Sequence, residues 1–126
     1  AWSAAYAAQI DELRGAGIRV GAVVDTPSLP FDAVDCVSER GDPELCTTSV
    51  AEVLEPKRPF MDAEAAVERE LGDVPVLDVN ELLCPGGRCP MVVDGVFVYA
   101  DNDHLNAAHA RRLAPQVAAF LQELVG

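Results

Sequence analysis

Ile18-Arg19-Val20-Gly21-Ala22-Val23-Val24-Asp25-Thr26-Pro27 is the stretch that decides the fold class. It is short, nearly all apolar and rich in β-branched residues, the pattern of a strand covered on both faces. Thr26-Pro27 ends it. Upstream, Trp2, Tyr6, Ile10 and Leu13 recur at helical spacing, and Gly15 and Gly17 close that helix over residues 2–14. Helix, glycine turn and buried strand make one αβ unit. A second unit follows. Residues 61–71 read as a helix opening at Asp62 with Ala65, Val67 and Leu71 inward, and Val74-Pro75-Val76-Leu77-Asp78-Val79 as a strand. Pro75 puts that strand at an edge or at the first residue of pairing. Alternating helices and buried strands predict an α/β layered fold with a mainly parallel sheet. Two strands are a thin core, so more are expected from sequence upstream.

The two units are separated by residues 27–59, which carry Pro27, Pro30, Pro43, Pro56 and Pro59. This segment reads as an irregular excursion with one short helix near Val50–Leu54. Beyond the second strand, Asn80 can cap a short turn through Leu83. Met91-Val92-Val93-Asp94-Gly95-Val96-Phe97-Val98-Tyr99 places two apolar runs around Asp-Gly, a hairpin signal. Asn106 then caps a last helix with Ala110, Leu113, Val117, Leu121 and Leu124 on its core face. Pro115 either kinks this helix or begins a new first turn. No repeat or low-complexity segment is present.

The chain has 126 residues, half of them hydrophobic, enough for one domain with a core. Its formal net charge is −12, with 9 Lys and Arg against 21 Asp and Glu. That balance argues against nucleic acid or an anionic membrane surface as partner. The wealth of Ala, Val, Asp and Arg beside few Lys points to a GC-rich bacterial genome. No apolar run reaches membrane-spanning length and no signal peptide is visible. The chain opens with Ala1-Trp2-Ser3 rather than Met, and reads as a piece of a longer polypeptide.

Four cysteines allow three pairings. Cys36 with Cys46, and Cys84 with Cys89, would each close a short turn-rich loop. Zinc usually wants tighter Cys-x-x-Cys pairs or nearby histidines, and the two histidines lie in another context. The spacing therefore favours two local disulfides, and with them a compartment outside the cytoplasm.

Asp101 and His104 are three residues apart where a strand gives way to a helix. A carboxylate so placed can hold an imidazole in one tautomer and stabilise its cation, as a serine nucleophile requires of its base. Ligand sites of α/β sheets also lie beyond strand carboxyl ends. On spacing alone the pair can equally be a turn-forming Asp-x-x-His. A metal held by Asp101, Asp103, His104 and His109 is a further option, weakened because His104 and His109 do not share a helix face.

Leu83-Cys84-Pro85, Arg88-Cys89-Pro90, Val93-Asp94-Gly95 and Val98-Tyr99-Ala100-Asp101-Asn102-Asp103-His104-Leu105-Asn106 together resemble the last block of SGNH hydrolases. More narrowly, they resemble the extracytoplasmic SGNH domains fused to multi-spanning acyltransferase-3 membrane proteins. There a Cys-Pro loop and a hairpin precede Asp-x-x-His-Leu-Ser/Thr; Asn106 replaces the hydroxyl residue and is an equally competent cap. Trp2, Tyr6, Leu13-Arg14, Gly17, Val20, Asp25-Thr26-Pro27 and Cys36 resemble the stretch around the middle strand of such domains. The resemblance covers most of the chain. It implies an SGNH-hydrolase, flavodoxin-like three-layer α/β/α fold, of which residues 1–126 are the C-terminal part.

The resemblance further implies a serine esterase or O-acyltransferase acting on acyl esters of cell-envelope glycans, with catalytic His104 and Asp101 and no cofactor. Its partners would be an acyl donor or ester, a glycan acceptor, the N-terminal half of the domain and a membrane acyltransferase domain in the same polypeptide. The nucleophile of such domains lies in Gly-Asp-Ser, and a later Gly and Asn complete the oxyanion hole. None of these motifs occurs here. Ser3, Ser28, Ser38 and Ser49 lie in other contexts, so the serine is expected upstream and the isolated chain inactive. A non-catalytic α/β binding or accessory module is the alternative. Trp2 and Tyr6 read as helix core, Asp25 as a turn residue, His109 as a surface residue, and Arg111 and Arg112 as a solvated face.

Overall fold

Helix α1 (Trp2–Gly15) ends on Ala16, as the glycines require, and leads into β1 (Ala22–Val23) in the computed structural model, which describes residues 1–126. The expected strand over 18–25 is reduced to these two residues. β1 pairs in parallel with β3 (Val76–Leu77), Ala22 opposite Val76 and Val23 opposite Leu77. The ladder is short because it has one partner and Pro75 offers a carbonyl, to Ala22 N–H at 2.8 Å, but no donor. This pair is parallel as expected, but the other two ladders of the chain are antiparallel, so its sheets are not mainly parallel. The strand is not covered on both faces, however: Ile18, Val23 and Val76 are exposed.

The excursion over 27–59 is far from irregular. It holds α2 (Ala33–Arg40), β2 (Thr48–Ser49) and α3 (Val50–Leu54), with tight 3₁₀ turns at Pro43–Cys46 and Glu55–Lys57. α2 was hidden by the prolines around it, although Asp32 caps its start through Asp35 N–H and Gly41 ends it in the left-handed region. α3 stands where it was expected, capped by Ser49. α4 (Arg58–Leu71) begins before Asp62, because Pro59 sits in its first turn, where the missing N–H costs nothing. α5 (Val79–Leu83) is capped by Asp78, not Asn80: the Asp78 carboxylate accepts from Asn80 N–H.

β4 (Arg88–Cys89) pairs antiparallel with β2, Thr48 opposite Cys89. β5 (Val92–Val93) and β6 (Val96–Phe97) form the expected hairpin. Asp94 and Gly95 both have positive φ, at 49° and 74°, the requirement of a type I′ turn. α6 (Ala107–Arg112) is capped by Asn106, and α7 (Ala114–Val125) starts afresh with Pro115 in its first turn. Of the expected core face, Leu113, Val117 and Leu124 are half-buried, but Leu121 is exposed and Phe120 turns inward instead. A Cβ on Gly21 would stand 2.8 Å from Phe120 Cζ and 3.2 Å from Leu124 Cδ2, so the missing side chain lets α7 lie against the end of β1.

The main core comprises Leu29, Ala33, Val53, Val79, Leu83, Met91, Val98 and Tyr99 together with Cys46, Cys84 and Cys89. It gathers the excursion, α5 and the hairpin. α1 packs separately on α4, with Ile10 and Val67 buried and Tyr6 donating to Glu68 at 2.8 Å. Trp2 is not core: it is exposed and meets the edge of Phe60, ring centres 5.4 Å apart.

Cys36–Cys46 and Cys84–Cys89 are disulfides, and no free cysteine remains. The β2–β4 ladder pairs Thr48, just past Cys46, with Cys89 of the second bridge. Intact-mass measurement after alkylation without reductant should therefore find no label, and four labels after reduction. Labelling of the unreduced protein would contradict both bridges.

Candidate active site

The hairpin strand β6 runs on through Val98 and Tyr99 into a tight turn. Tyr99 bridges Leu105, Ala100 N–H donates to His104 O at 2.8 Å, and Asn106 N–H donates to Val98 O at 2.9 Å. The bridge closes residues 100–104 into a short loop anchored on buried Tyr99. Within it, Asp101 Oδ1 accepts from Asp103 N–H at 2.9 Å and His104 N–H at 2.8 Å. This is the geometry that makes Asp favourable in turns, and it leaves Oδ2 to face His104 Nδ1 at 2.8 Å. The sequence expectation that Asp101 and His104 meet across a turn is what the geometry displays.

Three carbonyls of this turn are held from outside. Ala33 N–H donates to Asp101 O at 3.3 Å, Leu29 N–H to Asn102 O at 2.7 Å, and Thr26 Oγ1 to Asp103 O at 3.3 Å. Thr26 lies just past β1, so the turn sits at the carboxyl end of a parallel strand, although the strand that delivers Asp101 belongs to the antiparallel hairpin. Lys57 anchors this side: Nζ donates to Thr26 O at 2.8 Å and stands 3.0 Å from Asp25 Oδ2. Asp25 also accepts from Thr26 N–H. It is a turn residue, as expected, and an ion-pair partner as well.

The His104 ring is 76% exposed, and its Nε2 makes no hydrogen bond within the chain. With Nδ1 facing carboxylate, the proton belongs on Nδ1 and the Nε2 lone pair points outward. Asp103, which the sequence set beside Asp101 and His104 only as a possible metal ligand, also stands at the pair: its Oδ1 lies 2.9 Å from the same Nδ1. The signal was the acidic residue adjoining His104, which the Asp-x-x-His spacing leaves out. Asp101, Asp103 and His104 could also offer three metal-ligand atoms, all within 4.8 Å of one another. His109 is not among them. It is buried in α6 with Nδ1 unpartnered, against the expectation of a surface residue, because it falls on the face of α6 turned inward. Ser3, Ser28, Ser38 and Ser49 make no bond to His104; Ser49 caps α3. An apolar groove of about 360 Å³, lined by Val23, Val24, Thr26, Leu105, Leu113 and Val117 among others, runs beside the turn.

The electrostatics follow from these contacts. The Asp101 carboxyl is held down to about 2 by the backbone N–H groups of Asp103 and His104, then by the His104 ring. His104 is raised above 6.5 by its bond to Asp101 and the charges of Asp101 and Asp103, with Lys57 opposing. His109 moves the other way, lowered by burial and then by Arg112. The depressed carboxyl stabilises the fold above 3.8 and loses that contribution as pH falls through about 2. The raised imidazole stabilises it below 6.5 and loses that contribution as pH rises through its folded value. The pair therefore contributes most between 3.8 and 6.5. The two histidines, followed by imidazole NMR, should titrate on opposite sides of 6.5, His104 above and His109 below. A His104 midpoint at or below 6.5 would contradict the pairing.

Compared with known proteins, the chain matches over residues 1–119 the family model described as SGNH domain (fused to AT3 domains). No curated protein and no solved structure matches.

Proposed function

The chain belongs to the family of SGNH domains fused to AT3 domains, and on that premise we propose that it supplies the His and Asp of an extracytoplasmic serine esterase or O-acyltransferase domain. Membership itself points to hydrolase or acyltransferase chemistry in the intact polypeptide and to a membrane-tethered parent. The observation that carries the finer reading is the 2.8 Å contact between Asp101 Oδ2 and His104 Nδ1, with Nε2 left open on an exposed ring.

In this reading a serine from upstream sequence attacks the acyl carbonyl. His104 Nε2 takes the hydroxyl proton, Asp101 stabilises the resulting imidazolium, and the proton passes to the departing alkoxide. Water or a second hydroxyl then attacks the acyl-enzyme, with His104 again as base, giving hydrolysis or transfer. The substrate class proposed is acyl esters of cell-envelope glycans. The disulfides support a site outside the cytoplasm. The N-terminal half is proposed to add strands beside β1 and complete a three-layer α/β/α sheet, an arrangement supported by the exposure of Val23 and Val76.

Because no serine of this chain bonds to His104, the isolated chain should not hydrolyse p-nitrophenyl acetate above buffer, whereas the intact polypeptide should. Turnover by the isolated chain that disappears on His104→Ala would overturn the upstream-serine reading. An inert intact polypeptide would leave an accessory module.

A further inference from the structure

His104 Nδ1 carries a single proton in the neutral ring, hydrogen-bonded to Asp101 Oδ2 at 2.8 Å, and a second carboxylate stands beside the same nitrogen, Asp103 Oδ1 at 2.9 Å, as an ion-pair contact out of hydrogen-bonding alignment. Asp103 is not there by the freedom of a loose side chain. Its N–H is bound by Asp101 Oδ1, and its carbonyl accepts from Thr26 Oγ1. Thr26 is itself fixed, its N–H on Asp25 and its carbonyl on Lys57. The backbone of residue 103 is thus pinned from both sides, and the short Asp side chain has little to traverse to the ring.

We infer that Asp103 is a second positioning carboxylate for His104, sharing Nδ1 with Asp101 and able to hold the ring in its working tautomer when Asp101 cannot. Consider Asp101→Asn. The amide oxygen can keep the two backbone N–H bonds that Oδ1 now accepts, which turns the amide NH₂ toward the ring. An NH₂ there demands a lone pair on Nδ1 and would move the ring proton to Nε2, leaving no base at the open nitrogen. Asp103 opposes that exchange, because its carboxylate demands the proton on Nδ1. Both carboxylates also favour the imidazolium, and the charge of Lys57, paired with Asp25, works against them. The inference rests on the proposed role of His104 only where turnover is concerned; the sharing of Nδ1 does not.

The test is imidazole ¹⁵N NMR of this chain, in which His104 and His109 are the only histidines, on wild type, Asp101→Asn, Asp103→Asn and the double variant. These substitutions leave the backbone contacts of residues 101 and 103 in place. The His104 midpoint should fall in each single variant and furthest in the double, and neutral Asp101→Asn should keep its proton mainly on Nδ1 until Asp103 is also replaced. An unchanged midpoint in Asp103→Asn, or a single Asp101→Asn variant already matching the double, would overturn the inference. In the intact polypeptide Asp101→Asn should retain turnover about 10-fold or more above the double variant. Equal turnover would overturn it. An intact polypeptide whose turnover ignores His104→Ala, with the NMR order preserved, would instead sink the enzyme reading and leave the shared Nδ1 standing.

Discussion

His104→Ala in the intact polypeptide is expected to lower turnover by about three orders of magnitude or more, with the fold unchanged. The ring is exposed and its only partners are Asp101 and Asp103, so its removal opens no cavity. What it removes is the sole base beside the open position, and a serine without one is a weak nucleophile near neutral pH. Asp101→Asn should cost less, since the ring keeps hydrogen-bonding neighbours and loses one charge. Adding Asp101→Asn to His104→Ala should cost little further, because a carboxylate that acts through an imidazole has nothing to act on once it is gone. Hydrolysis or transfer of a soluble acyl ester, with circular dichroism to confirm folding, measures all three. Near-native turnover of His104→Ala, or losses that simply add, would end the assignment.

The second large effect is on stability. Tyr99 is fully buried at the root of the turn, and Tyr99→Ala should destabilise the chain by about 3–5 kcal/mol, as for other buried aromatic truncations. The hydroxyl behaves differently. Tyr99 Oη is buried with no hydrogen-bond partner, and burial pushes its ionisation up to about 12. Removing an unsatisfied polar atom costs little, so Tyr99→Phe should lie within about 1 kcal/mol of wild type or above it. Urea unfolding of the two variants separates the claims. A large loss in Tyr99→Phe would mean that the hydroxyl has a partner. Tyr99→Ala should also broaden the His104 resonance, since the Tyr99–Leu105 bridge closes the loop that carries His104.

Local signals in the sequence were faithful where chemistry is local. Helix α1, the short α3, the Asp-Gly hairpin and the Asn106 cap rest on neighbouring residues, and each stands where the pattern put it. The Asp101 turn is of the same kind, because the carboxylate bonds N–H groups two and three residues on. What was not legible depends on distant partners. α2 lay unseen between prolines, and the β2–β4 ladder joins residues some forty positions apart, which no local period encodes. The long apolar run 18–25 promised a full strand, but a strand is only as long as what lies beside it, and here that is Pro75 to Leu77. The clasp of Thr26, Leu29 and Ala33 on the carbonyls of residues 101–103 was likewise out of reach, since two of its donors are backbone N–H groups that any residue could supply.

The close approach of α7 to Gly21 has an evolutionary consequence. A methyl group at position 21 would stand 2.8 Å from Phe120 Cζ and 3.2 Å from Leu124 Cδ2, so the Phe120 ring would have to turn aside to admit it. A side chain at 21 is therefore accommodated most easily where residue 120 is smaller than Phe. Among descendants of this sequence the two positions should vary together, separated by a hundred residues of chain and by less than one side chain of space.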